Sequence, residues 1–375
     1  VEAAKRSVLV INPFQLTALL WLSRIETASV FLPSVTTVDY APDTWIGAGI
    51  GSLLAIVPLW VMGRVAVASG GLCLVGMAQK FYGRVLGGAV GIFLAQFFLL
   101  CGACTIRHVV EVYTGIITPE TPGLVYSAIV AGVAVVAAAA GATILGRTAV
   151  MVFATVVPLL LLTLILPLNR MNPGHLMPFM HSHLGVLAQA GLISFSFTMQ
   201  GIVGFMLMPS LRPRTTKEVD AIFLTYAVAS SIMMAAAAAS ITAAFGPLSA
   251  SLTFPVFSLA QRIQIAGIIE RMEILPVFLW TASDILRVAL MLWAAAACLA
   301  KTFGLEHGRR LVLPLGFVSV VLTAFIVTNV FEMLGFYTWD LWGVYGTVVQ
   351  VGTVLLLSTG YLLARKGSAR RRRHA

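Results

Sequence analysis

WLSRIETASV, residues 21 to 30, places an arginine and a glutamate, Arg24 and Glu26, inside an apolar segment that opens at Pro13. At 1.5 Å per helical residue, they stand roughly 16 to 20 Å beyond that start, near the centre of a bilayer core roughly 30 Å thick. A lone ion there costs about 2.5 to 3.5 kcal/mol on insertion scales, so these side chains are expected to face protein or water. Residues two apart on a regular helix point about 200° away from each other. Two arrangements satisfy this: the segment is enclosed by protein on every side, or its helix is interrupted here and both side chains line a cavity.

The rest of the chain has the same solvent in view. Of its 375 residues, 59% are hydrophobic and 10% charged, against roughly 45 to 50% and about 25% in a soluble globular protein. A water-soluble fold is excluded, because so few charges cannot clothe the surface of a chain this size. Charge-poor windows long enough to span fall near residues 13 to 35, 44 to 63, 85 to 113, 124 to 145, 149 to 168, 187 to 210, 220 to 244, 272 to 300, 311 to 331 and 341 to 363. They are continuously apolar, without the alternation of a lumen-facing strand, so the expected fold is an all-α polytopic membrane protein of ten transmembrane helices. It forms one integral membrane domain over 1–375, with a basic tail at 364–375. Segments 65 to 84 and 246 to 270 read as short interfacial or re-entrant helices. The first apolar run continues into a full-length span, so a cleavable signal is not expected.

Ten spans put both termini on one side, and the basic residues test the count. With cytoplasmic termini, eighteen of the 24 Lys and Arg fall on that side, three on the other and three inside spans, as the positive-inside rule requires. The Arg370–Arg373 run then touches anionic membrane lipids rather than nucleic acid. Asp39, Asp43, Glu120, Glu332 and Asp340, with His175, His181 and His183, populate the opposite loops, where solvation accounts for them. Cys101 and Cys104 have CxxC spacing but sit in an apolar run with no further ligands near, as small hydrophobes do. HExxH, GxGxxG, P-loop and nucleophile-elbow patterns are absent from the sequence, so neither an enzyme nor a cofactor or metal site is expected.

More charge lies deep in other spans. Asp284 and Arg287, three apart on the eighth, share a helix face, as do Arg107 and Glu111, four apart near the outer end of the third. Each pair reads either as an internal salt bridge or as a gating or ion-linked element. The sixth span carries Ser194, Ser196, Thr198, Gln200 and Gly201 beside Phe195 and Phe197. Hydroxyls bonded back to their own helix explain such a patch. So does a binding site: polar interruptions in spans one and six, five apart, are where an inverted five-plus-five repeat builds its central site, with helix termini facing an anionic group. The repeats would cover about 13–168 and 187–363, and the candidate ligand contacts are Arg24, Glu26, Thr27, Ser196, Thr198 and Gly201.

PFQLTALLWLSRIETASVFLP (13–33), Asp43-Thr44-Trp45-Ile46, Thr121-Pro122, Gly146-Arg147, Thr253-Phe254-Pro255 and RMEILPVFLW (271–280) follow one another in an order that resembles the endospore germination permeases. These are the B subunits of germinant receptors, within the amino acid, polyamine and organocation transporter superfamily. The resemblance implies a leucine-transporter-type fold and the sensing of a small nutrient such as an amino acid, in the cell membrane or inner spore membrane. It also implies a complex with a larger A subunit and a lipoprotein C subunit. Glu26 stands where such proteins usually carry a glycine, and a carboxylate there would repel the carboxylate of an amino acid unless Arg24 compensates. A coupled amino acid transporter acting alone is the alternative.

Overall fold

The computed structural model of the protein describes residues 10–30, 42–265, 269–270, 274–306 and 308–373, with their side chains except at 26–30, 264–265, 269–270, 274–276, 278–279 and 367–373. Helix α1 (Pro13–Val30) opens on a reciprocal cap, the Gln15 amide donating to Asn12 Oδ1 at 2.8 Å and the Asn12 amide to Gln15 Oε1 at 3.0 Å. It runs without interruption past Ser23 and Arg24, and every residue from 18 to 25 is buried. Of the two arrangements the sequence allows, enclosure on all sides is the one observed. The other premise, a broken first helix, does not hold within the described residues.

Helices α2 (Thr44–Leu54) and α3 (Ile56–Ala68) make one span bent at Ala55. In α4 (Leu74–Val112), Gly83 has φ 81°, a conformation that side chains rarely adopt, so a short helix at 74–82 precedes the long span. This is the short helix expected around 65 to 84. Helices α5 (Gly123–Ala140) and α6 (Ala142–Ile165) meet at Gly141, again at positive φ. Helix α7 (Leu184–Met199) passes into a 3-10 segment, Gln200–Met206, so the sixth apolar window changes its winding at the polar patch.

Helix α8 (Thr216–Phe245) is capped by Thr215 Oγ1, which accepts from the Glu218 amide. The 246–270 region holds a 3-10 turn, the short helix α9 (Pro255–Gln261) and two antiparallel two-residue strands, β1 (Gln264–Ile265) and β2 (Ile269–Glu270). Helices α10 (Ile274–Phe303), α11 (Arg309–Ile326), α12 (Val330–Phe336) and α13 (Val344–Arg373) complete the chain, the last carrying the basic tail in helical form.

Nine helices among the described residues are long and apolar enough to cross a membrane. The α1 helix, diluted by its polar centre, is not counted among them. Enclosure separates inner from outer helices: 72% of the 280–303 span is buried, against 22% for Arg309–Ile326. Helix α10 packs along α4 and also meets α1, which in turn lies against α6 and α8. The α2–α7 crossing is set by glycine. A Cβ at Gly47 would stand 2.6 Å from the Leu187 carbonyl oxygen, and one at Gly51 would overlap the Gly191 backbone. Small residues four apart let two membrane helices touch backbone to backbone, and Ser231 Oγ ties α8 to α2 by donating to the Gly49 carbonyl at 2.7 Å.

Candidate functional site

Where α1, α4, α7 and α10 come together, buried polar groups form one connected layer. Arg24, Asp284 and Arg287 are 1%, 1% and 2% exposed, so the midplane charges face protein, as lipid requires. Arg24 donates from Nε to Thr198 Oγ1 at 3.3 Å, and its guanidinium stands 5.5 Å from the centre of the Phe197 ring. Thr198 Oγ1 bonds back to the Ser194 carbonyl at 2.8 Å and lies 3.1 Å from Ser52 Oγ of α2. The back-bonding read from the sixth-span hydroxyls is seen at Thr198, which donates to its own helix while also accepting from Arg24.

Arg287 lies on the other side of the layer. Its Nε donates to Thr105 Oγ1 of α4 at 2.9 Å, one terminal nitrogen to the Ser23 carbonyl of α1, and the other to Gln200 Oε1 at 2.7 Å. Asp284 places a carboxylate oxygen 3.6 Å from His108 Nδ1, joining α10 to α4 by a second polar contact. The Tyr226 hydroxyl of α8 donates to the Thr198 carbonyl at 2.8 Å, at the point where α7 turns into the 3-10 segment. Gln200 Nε2, Ser194 Oγ and Ser283 Oγ are buried with no hydrogen-bond partner among the described residues. Phe97, Phe197, Tyr337 and Trp342 pack against one another beside the layer, with Phe197 and Tyr337 centred 5.6 Å apart.

The other candidates are placed differently. Ser196, two residues from Thr198, faces the last span: its Oγ lies 3.4 Å from the Trp342 carbonyl in the turn before α13, and its own carbonyl accepts from Gln350 Nε2 of α13 at 3.1 Å. Gly201 is covered by the Tyr226 ring, which occupies the space a Cβ would need. Arg107 and Glu111 form the ion pair expected of them, and Arg107 also donates to the Thr328 carbonyl at 2.6 Å, between α11 and α12. That pair belongs to one end of the bundle and not to the central layer. The side chains of Glu26 and Thr27 lie outside the described residues.

Four members of the layer escaped the sequence reading: His108, Thr105, Ser52 and Tyr226. Each is a single polar residue in an apolar run, which reads as core; only the i, i+3 relation of His108 to Glu111 on a charged face offered a signal. Asp43 was misassigned to loop solvation. It is fully buried, and its carboxylate accepts from the amides of Met180, His181 and Ser182 at 2.9, 2.8 and 2.9 Å. Burial pushes this carboxyl up, but the bonds from Ser182, Met180 and His181 outweigh it and hold it below its ordinary value. Two cavities lie apart from the charged trio: an apolar groove of about 610 Å³ between α2 and α7, and one of about 350 Å³ near Lys301 and Arg309.

Known proteins give this geometry a context. The structure of Mhp1, a nucleobase-cation-symport-1 family transporter, in a closed conformation with bromovinylhydantoin bound, superposes with a TM-score of 0.69 at 15% identity, over 95% of this chain and 79% of that one. MhsT in complex with L-phenylalanine does so with a TM-score of 0.65 at 13% identity, over 93% and 88%. These are leucine-transporter-type folds, and at such identities they establish the fold alone. In sequence, the spore germination protein YndE of Bacillus subtilis (strain 168) is 21% identical over 305 residues, 81% of either chain. The spore permease family, described as spore germination protein, matches residues 10–331. Its members are permeases and not enzymes, and this chain belongs to the spore germination protein family.

Proposed function

We propose that this chain is the ligand-binding, permease-like subunit of a spore germination receptor, which binds a small nutrient at the midplane between α1, α4, α7 and α10. Family membership over residues 10–331 is the observation that carries the reading, and the buried charged layer supports a polar ligand at that depth. The proposed contacts are Arg24 and Thr198, with Glu26 and Thr27 two and three residues further along α1. The unpartnered donor Gln200 Nε2 and the hydroxyls of Ser194 and Ser283 offer further hydrogen bonds. Arg107 and Glu111, which tie α4 to Thr328, are the proposed gate.

In this reading the described conformation is closed, and the nutrient acts by binding one conformation more tightly than another. The nutrient is an amino acid or a molecule of similar size. The A and C subunits receive the shift, the halves 13–168 and 187–363 are the two repeats, and both termini face the cytoplasm of the cell or spore core. Thr198→Trp fills the layer and should abolish the nutrient response of spores while the protein still inserts. An unchanged response would remove α7 from the site.

The likeness to Mhp1, a nucleobase-cation-symport-1 family transporter, favours a second reading, a proton- or sodium-coupled amino acid transporter acting alone. Vesicles holding only the purified chain separate the two. A transporter accumulates amino acid under an ion gradient, and a receptor subunit does not.

A further inference from the structure

Helix α10 ends in a turn that sets two basic residues around an apolar slot. Gly304, at φ 70°, reverses the chain after Phe303, and the Leu305 amide closes the turn on the Ala300 carbonyl at 2.8 Å. Gly308 then brings the start of α11 so close to α10 that a Cβ there would stand 3.1 Å from the Ala296 carbonyl oxygen. Lys301, in the last turn of α10, and Arg309, the first residue of α11, thereby line one cavity of about 350 Å³. Alanines of α5 and α10 form much of its wall, where short side chains leave the space open. Trp293 also lines it, eight residues before Lys301 and so roughly 12 Å deeper along α10.

The cavity borders lipid, since only 28% of the Gly123–Ala140 span and 22% of Arg309–Ile326 are buried. Lys301 and Arg309 are exposed, and among the described residues neither head group has a hydrogen-bond or ion-pair partner. Glu306, the one carboxylate of the turn, does not line the cavity, and a terminal nitrogen of Arg84, 3.7 Å from where a Gly304 Cβ would stand, adds positive charge beside it. A soluble anion would use the cations and leave the slot bare; an uncharged acyl chain would do the reverse. We infer that the cavity is a binding site for one anionic phospholipid, with Lys301 and Arg309 holding the phosphate and the alanine-walled slot taking the glycerol ester and the start of an acyl chain. Basic pockets between spans recognise lipid head groups by this combination, and a guanidinium meets phosphate oxygens two at a time. A lipid seated there bridges α5, α10 and α11. The inference rests on the cavity and its charges, not on the nutrient-binding role.

The test uses the purified full chain in neutral detergent, with phosphatidylglycerol as the probe and native mass spectrometry to count the lipid retained. The wild type should keep one phosphatidylglycerol saturably and hold phosphatidylcholine more weakly. Lys301→Gln with Arg309→Gln, both at exposed positions, should raise the Kd about 10- to 30-fold. Ala297→Leu keeps both charges but fills the slot, and should weaken binding by about tenfold or more. Arg365→Gln with Lys366→Gln, outside the cavity, should leave the Kd within about twofold. Equal weakening by the 365/366 pair overturns the inference, since unspecific attraction to basic residues predicts it. Unchanged binding in Ala297→Leu also overturns it, as does displacement of the lipid by millimolar glycerol phosphate or inorganic phosphate, which would mark a site for a soluble anion. If Ala297→Leu does not fold, the charge variants and the phosphate competition decide.

Discussion

Arg24 Nε meets Thr198 Oγ1 at 3.3 Å, joining two helices whose residues are 174 apart in the chain, with both side chains almost fully enclosed. The bond sets the distance between α1 and the end of α7, and Thr198 accepts it while its own hydroxyl lies 2.8 Å from the Ser194 carbonyl. Arg24→Met and Thr198→Val should therefore be non-additive. A double-mutant cycle of melting temperatures should return a coupling of about 1 to 3 kcal/mol. Simple additivity would mean that the contact adds nothing to stability.

The α2–α7 crossing makes a second prediction, in which two glycine substitutions move stability in opposite directions. A methyl at Gly51 overlaps the Gly191 backbone, which no side-chain rotation relieves, so Gly51→Ala should cost about 1 to 3 kcal/mol by overpacking. A methyl at Gly132, on the exposed side of α5, meets nothing within 4 Å. Gly132→Ala should be neutral or gain about 0.5 to 1 kcal/mol from helix propensity. Thermal melts of the two variants in one detergent check both signs.

What the sequence disclosed about the site follows from how severe each physical constraint is. Charge in hydrocarbon is so costly that Arg24, Asp284 and Arg287 were legible as inward-facing from their positions alone, and the structure buries all three together. The window lengths gave the helices for the same reason. Partners were not legible, because they depend on which helices meet: Asp43 finds its amides 137 to 139 residues away, and nothing local marks it as buried. Ser196 shows a rule incompletely applied. Two-residue spacing sends side chains to opposite faces, so Ser196 and Thr198 were never going to share one pocket on a regular helix. The unbroken α1 follows from packing: with protein around residues 18 to 25, the Arg24 charge is buried without a break in the helix.

Asp43 yields a pH dependence whose direction follows from its lowered pKa. The folded carboxyl titrates below its ordinary value, and the unfolded one near about 3.9. Its contribution is therefore complete above the unfolded pKa and is lost as pH falls through the folded one. Asp43→Asn removes the charge but roughly keeps the shape, and should melt lower by the equivalent of about 2 kcal/mol at neutral pH. The gap from wild type should stay constant between about pH 5 and 7 and close on further acidification. A gap that widened in acid would rule out the three-amide anchor as its source.

Tyr226 tests how firmly the change of winding in the sixth span is held. Its hydroxyl donates at 2.8 Å to the Thr198 carbonyl, at the end of α7, and its ring fills the space beside Gly201. The 3-10 segment that follows has weaker hydrogen-bond geometry than an α-helix and depends more on outside partners. Tyr226→Phe keeps the ring and leaves a buried carbonyl short of one donor, at a cost of about 1 to 3 kcal/mol. The loss should be local, because the Arg287 bonds to Ser23 and Thr105 do not pass through Tyr226. Hydrogen exchange should accordingly rise for the amides of 200–206 and stay unchanged along 284–300 of α10. Faster exchange in both would show that the 3-10 segment and α10 open as one unit, and that the tyrosine latches the whole layer.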